Sequence, residues 1–198
     1  MGMKRRNVYD GWVFSMDDAK RAELEKRLAE LPLVEFAFFR TEDVEFSERV
    51  RTVCRTECPQ YATTWACPPA VGTVDECRER CRRFSDAFVF TTVAEVPSID
   101  DFEACLVMRG PHEEITRQVR DVFRELYGEC LVLSTESCAL CERCSYLQGD
   151  PCCHPDRMLP CVESHGIAVT TLAEQAGISY FYDSTTVVWF SVVFFNGM

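Results

Sequence analysis

The sequence predicts an α+β (or α/β) fold: one layered domain with a mixed sheet, flanking helices and two cysteine-rich metal-binding loops. Three observations predict it. Helical and strand periodicities alternate along the chain, two cysteine-dense stretches follow neither period, and the closing strand is apolar on both faces. The length of 198 residues suits one core. With no repeat and no long linker, residues 1–198 are expected to form one cysteine-rich metal-binding domain, with residues 1–32 as an N-terminal helical extension.

Residues 15–31, "SMDDAKRAELEKRLAEL", predict an amphipathic helix. Ser15 stands as N-cap, Asp17 and Asp18 suit the positive helix end, and Leu24, Leu28 and Leu31 recur at helical spacing. "LVEFAFF" at 33–39 predicts a strand, and the next sixteen residues, "RTEDVEFSERVRTVCR", fit helix and strand equally. Residues 54–72, rich in Pro, Gly and Thr, predict a ligand-bearing loop. Thr73 and Glu76 form a capping box for a helix to Phe84. "DAFVFTTVAEV" at 86–96 predicts a strand. A short helix from Ser98 to Met108 is expected to stop at Gly110. His112 to Tyr127 predicts a longer helix with Ile115, Val119, Val122, Phe123 and Leu126 on one face, ended by Gly128. "ECLVLS" at 129–134 predicts a strand, and a cysteine loop runs on to about residue 160. Thr171 and Glu174 are expected to cap a short helix that Gly177 ends. "TTVVWFSVVFF" at 185–195 predicts a strand central in a sheet covered on both sides.

Charge and hydropathy remove several function classes. A net charge of -11 disfavours binding to a phosphate backbone or an anionic membrane surface, because both rely on clustered Lys and Arg. The start "MGMKRRNVYDGW" has no apolar segment behind its basic residues, and Val187 to Phe195 is too short for a membrane helix of about 20 residues. A cytoplasmic protein is expected. In a reducing compartment, thirteen cysteines, several spaced two residues apart, point to metal ligands or redox thiols rather than disulfides.

The C-terminal constellation is Cys138, Cys141, Cys144 and Cys152, within "CALCERCSYLQGDPCCHP". A C-x2-C-x2-C run wraps three thiolates round a small object. That suits three corners of a cuboidal iron–sulfur cluster, with Cys152 as the more distant fourth ligand and Pro155 close behind. Structural zinc is the alternative, since it needs four ligands, usually as two separated pairs; Cys153 and His154 could then take part. The N-terminal constellation is Cys54, Cys58, Cys67 and Cys77, in which Pro68 and Pro69 stiffen the backbone after Cys67. Cys77 is favoured as a ligand and Cys81, one turn on, as core. Cys105, Cys130 and Cys161 are expected to pack, and Cys153 to be a spare ligand.

His112 is expected at the surface and His165 at a turn. The run "RERCRR" at 78–83 predicts a solvated helix face; its alternative role is to offset thiolate charge or dock an acidic carrier. Tyr61, Trp65 and Tyr146 are expected to shield the sites from water. No P-loop, Rossmann fingerprint or serine nucleophile elbow is present, and no cysteine stands at residue 61 to complete the C-x3-C-x2-C spacing of radical SAM enzymes.

"CRTECPQYATTWACPP", "ECRERCRRF", "CALCERC…PCCHP" and "LPCVESHGIAV" together resemble a cysteine-rich family of predicted metal-binding proteins, domain of unknown function 2284. The resemblance runs from about Cys54 to the C-terminus. It implies a cytoplasmic metal- or iron–sulfur-binding protein and no particular reaction. Two positions depart from the family pattern: Cys153 stands where a basic residue is usual, and Cys161 where serine is usual. The expectation is therefore a protein with one or two 4Fe-4S clusters, acting in electron transfer with a redox partner protein or in cluster-based redox chemistry. The alternatives are a zinc-stapled interaction module and a thiol enzyme using Cys153 or Cys161 beside a cluster.

Overall fold

A computed structural model describes residues 4–5 and 18–197. Strands β1 (Lys4–Arg5), β2 (Glu35–Arg40), β3 (Asp86–Glu95), β4 (Leu131–Leu133) and β5 (Thr186–Phe195) form one sheet in the order β1-β2-β3-β5-β4. β1 runs parallel to β2, and the other pairs are antiparallel. The sheet is mixed and the fold is α+β. β3 and β5 pair along their whole lengths, from Asp86 opposite Phe195 to Glu95 opposite Thr186.

The pleat sends alternate residues to opposite faces. Phe36, Phe38, Phe88, Phe90, Val193 and Phe195 face α1 (Asp18–Leu28) and α5 (Arg109–Tyr127), where Leu24, Leu28, Val119 and Phe123 meet them. Ala37, Phe39, Ala87, Val89, Val192 and Phe194 face the other way. They pack on Cys81 of α3 (Val74–Arg82) and on Leu172, Ala173 and Ala176 of α6 (Val169–Ala176). Each such ring or branched side chain contributes about 1.5–3 kcal/mol by leaving water. β5 is thus flanked on both edges and covered on both faces, as its unbroken apolar run predicts. No helix of the described residues is long and apolar enough to cross a membrane.

Local signals hold in several places. Thr73 and Glu76 make the full capping box of α3. Gly128 ends α5 with φ 82°, and Gly177 ends α6 in the left-handed region. The expected Ser15 cap and Asp17 lie outside the described residues.

Four expectations are corrected. The ambiguous segment forms α2 (Glu48–Thr56), capped by Ser47, so Cys54 sits on a helix rather than in a loop. The short helix is α4 (Phe102–Val107), and Gly110 does not stop it: Gly110 lies inside the first turn of α5, where a Cβ would meet nothing within 4 Å. α6 begins after Ala168 with no side-chain cap, so Thr171 and Glu174 are interior. His112 is not a surface residue; it is 1% exposed, with Nδ1 2.7 Å from Thr92 Oγ1 and Nε2 2.8 Å from Ser191 Oγ. Its spacing with Thr116, Val119 and Phe123 puts it on the sheet-facing side of α5. Burial lowers its pKa to about 3, so the ring is neutral.

Candidate metal centre

After β4 the chain leaves the sheet and returns at Cys161. A bridge pairs Ser134 with Cys161; Ser134 N donates to Pro160 O at 2.8 Å and Val162 N to Ser134 O at 2.8 Å. These bonds close the base of the cysteine loop, so its conformation depends on contacts along its length. α5 supplies several. Ala139 N donates to Glu113 Oε1 at 2.9 Å, and Arg120 Nη1 donates to Asp156 O at 2.9 Å. Trp65 Nε1 donates to Asp150 O at 3.1 Å, and its ring stands edge-on to Tyr146 at 5.1 Å.

The loop encloses a cavity of about 290 Å³ lined by Cys138, Cys141, Cys144 and Cys152, with Cys153, His154, Arg109 and Trp65 at its walls. His154 N donates to Cys152 Sγ at 3.4 Å. Burial pushes the Cys138 thiol up to about 11, with Glu113, Cys152 and Cys141 adding negative potential. Cys141 is raised too, by desolvation and then by Cys153, Cys144 and Cys152. Thiols held protonated in this way need a bound cation to become thiolates. Arg109 brings positive charge to the wall: Nη1 donates to Ser137 Oγ at 3.1 Å, and its buried Nε has no protein partner among the described residues.

A second cavity, of about 320 Å³, opens between α2 and α6. Its thiols are Cys54, Cys58, Cys67 and Cys161, its acids Glu136 and Glu163, and Val50, Val53, Tyr61, Val169 and Tyr180 make it largely apolar. Helical spacing places Cys54 one turn before Cys58, just past the end of α2. Ala62 N donates to Pro68 O at 2.8 Å, folding the Cys-Pro-Pro turn back on itself. Glu136 takes φ 53°, which a side chain rarely adopts, and its carbonyl accepts from Cys67 Sγ at 3.9 Å. Cys161 Sγ donates to Glu163 Oε2 at 2.8 Å.

Burial raises every thiol here. Cys54 reaches about 11, aided by Cys58 and Glu163, and Cys67 about 12. Cys58 rises mainly by burial, and Cys161 rises well above the usual thiol range through burial, Glu163 and Cys67. Glu136 is lifted to about 7 by burial and by the charge of Glu163, against the pull of Arg109; burial raises Glu163 as well.

The structure brings the sequence-predicted C-terminal set, Cys138, Cys141, Cys144 and Cys152, round one cavity. Of the N-terminal set it gathers Cys54, Cys58 and Cys67 but puts Cys77 elsewhere. Cys77 is buried behind the turn Glu163–His165; Arg80 Nη2 donates to its Sγ at 3.0 Å and Arg51 Nη2 at 3.6 Å. Burial raises that thiol while Arg80 and Arg51 pull it down. The run "RERCRR" is therefore divided: Arg78 pairs with Asp75 at the surface, and Arg80 turns inward to a thiol. Cys161, expected to pack, lines the cavity in its place. Cys81 and Cys105 do pack, each in a buried apolar cluster. His165 closes the turn before Gly166, its Nδ1 3.1 Å from Cys161 O. Sequence spacing overlooked Cys161, Glu136 and Glu163. The "PCVE" stretch, a cysteine two residues before an acid, is a local sign for Cys161 and Glu163, and none marks Glu136.

All thirteen cysteines are free thiols. Among the described residues, no group of three or more His, Cys, Asp or Glu side chains is arranged to hold a single metal ion. A family model described as a predicted metal-binding protein (DUF2284) matches residues 37–195. No curated protein and no solved structure gives a significant match.

Proposed function

This chain belongs to the DUF2284 family of predicted metal-binding proteins, and from that premise we propose that it is a cytoplasmic iron–sulfur protein with two cluster sites, working in electron transfer to a partner protein or in redox chemistry at a cluster. The observation that carries the reading is the donor set: two separate cavities, the N-terminal one lined by four cysteine thiols and the C-terminal one by five, Cys153 being the spare. Cys138, Cys141, Cys144 and Cys152 would hold one 4Fe-4S cluster. Cys54, Cys58, Cys67 and Cys161 would hold the other, with Cys161 taking the place first assigned to Cys77.

The residues present fit such a group. All eight donors are thiols, which suit iron–sulfur clusters better than hard cations. Zinc, with Zn–S bonds of about 2.3 Å, draws its four sulfurs to about 3.8 Å from one another; cavities of about 290 and 320 Å³ leave room for a larger polynuclear group. The backbone N–H on Cys152 Sγ and the unpartnered Nε of Arg109 are donors of the kind that tune a cluster's potential. A bound cluster supplies one-electron redox chemistry. The chain itself supplies the thiolates, the donors, and an aromatic lining from Trp65, Tyr61 and Tyr180.

Anaerobic purification tests this directly. The expected result is a brown protein with about four irons and four acid-labile sulfides per cluster. A colourless protein holding stoichiometric zinc, which unfolds when the zinc is chelated, refutes it and favours the interaction module.

A further inference from the structure

Resting on the two-site reading, we propose that segments 60–67 and 136–138 form one shared partition, so that the two thiol cavities make a coupled pair rather than two independent sites. Neighbouring residues along these segments line opposite cavities. Gln60 lines the cavity of Cys138 and Tyr61 that of Cys54; Trp65 lines the first and Cys67 the second. In the other segment Glu136 lines the Cys54 cavity, whereas Ser137 and Cys138 line the other. A chain whose successive side chains point into both cavities is itself the wall between them.

The two segments hold each other. Cys67 Sγ donates to Glu136 O at 3.9 Å, and Ser137 Oγ donates to Gln60 Oε1 at 3.2 Å. This sets a ceiling on the separation of the two ligand sets. From Cys67 Sγ to Glu136 O is 3.9 Å, and two further residues span at most about 7 Å, so Cys138 Cα lies within about 11 Å of Cys67 Sγ. Groups bound to those two sulfurs are separated by a single thickness of backbone, across which paramagnetic centres interact.

The pair is also asymmetric. Cys67 and Cys161 are buried, whereas Cys153 is exposed and Cys141, Cys144 and Cys152 are half-buried. Cys54 and Cys58 are half-buried as well, so both cavities reach the surface, and the C-terminal one presents the more exposed thiols to an external electron carrier.

The test uses the full chain, reconstituted anaerobically with iron and sulfide, assayed for both, reduced with dithionite and examined by electron paramagnetic resonance. Protein carrying two clusters is expected to show split or broadened, fast-relaxing resonances. That broadening is lost in Cys54→Ser/Cys58→Ser, in Cys138→Ser/Cys141→Ser, and in native chain given substoichiometric iron, which keeps the comparison valid if a variant fails to fold. Two full clusters whose spectrum equals the sum of the single-cluster spectra overturn the coupling while leaving cluster binding intact. Iron below the content of one cluster overturns both readings.

Discussion

Glu113 ties the C-terminal cysteine loop to the body of the protein, and its removal has a calculable cost. The side chain is 1% exposed; one oxygen accepts from Ala139 N at 2.9 Å, and the other pairs with Arg117 Nη1 at 3.3 Å. Glu113→Ala removes a charge-assisted hydrogen bond, about 1.5–3 kcal/mol. It also breaks a buried ion pair, and losing one partner there costs about 3–5 kcal/mol. Arg117 keeps a second carboxylate, Glu114, through Nε at 3.0 Å, so its charge is not stranded and the pair contributes at the lower end. A total of about 4.5–6 kcal/mol follows, a large share of a typical stability of about 5–15 kcal/mol. In urea, with a slope of about 2 kcal/mol/M, the midpoint of the metal-free chain is expected to fall by about 2–3 M. Mild alkylation is expected to label Cys138, Cys141 and Cys144 faster, with Cys54 and Cys58 unchanged. Glu113→Gln, whose amide oxygen still accepts from Ala139 N, recovers part of the loss. An unchanged urea midpoint together with unchanged alkylation of the loop would refute the clamp.

Other consequences are equally direct. Cys161→Ser is expected to remove about one cluster's worth of iron and sulfide, whereas Cys77→Ser leaves the content unchanged; metal analysis of the two variants decides which thiol completes the N-terminal set. Gly166 has φ 80°, and an added Cβ would stand 2.9 Å from Val74 Cγ1 and 3.2 Å from Ser47 O. Gly166→Ala is therefore expected to lose about 2–4 kcal/mol from left-handed backbone strain plus overpacking, read as a lower thermal midpoint. His112 has a folded pKa of about 3 against an ordinary value of 6.5, so its stabilising effect is complete above pH 6.5 and is lost as pH falls towards 3. At pH 5 the loss is about 2 kcal/mol, and His112→Gln is expected to flatten the urea midpoint's dependence on pH between 7.5 and 5 by that amount.

The fold was legible where a local period carried it. Alternation in "EFAFF" and the doubly apolar run ending at Phe195 mark strands, because each residue's face is set by the pleat. The Thr73–Glu76 box marks the start of α3 for an equally local reason, since cap and partner lie within one turn. α2 was not legible. Its apolar stripe is only Val50, Val53 and Cys54, which line a cavity rather than the core, and none of its residues is buried. Gly110 misled because a glycine is read as a stop when nothing reveals that α4 and α5 abut.

For the candidate site the division falls at covalent reach. By itself the sequence determined that Cys138, Cys141 and Cys144 must lie close together, and that Cys54 and Cys58 must as well. Two or three intervening residues permit little else. Only the tertiary structure decided which distant groups join them. Cys161 reaches Cys67 because the Ser134 bridge returns the chain beside the Cys-Pro-Pro turn, where Cys161 N donates to Ala66 O at 3.1 Å. Cys77 is diverted behind the Glu163–His165 turn, where Arg51 and Arg80 hold it. Neither outcome is written in any spacing, because neighbours between segments are chosen by sheet pairing and packing rather than by the length of chain that joins them.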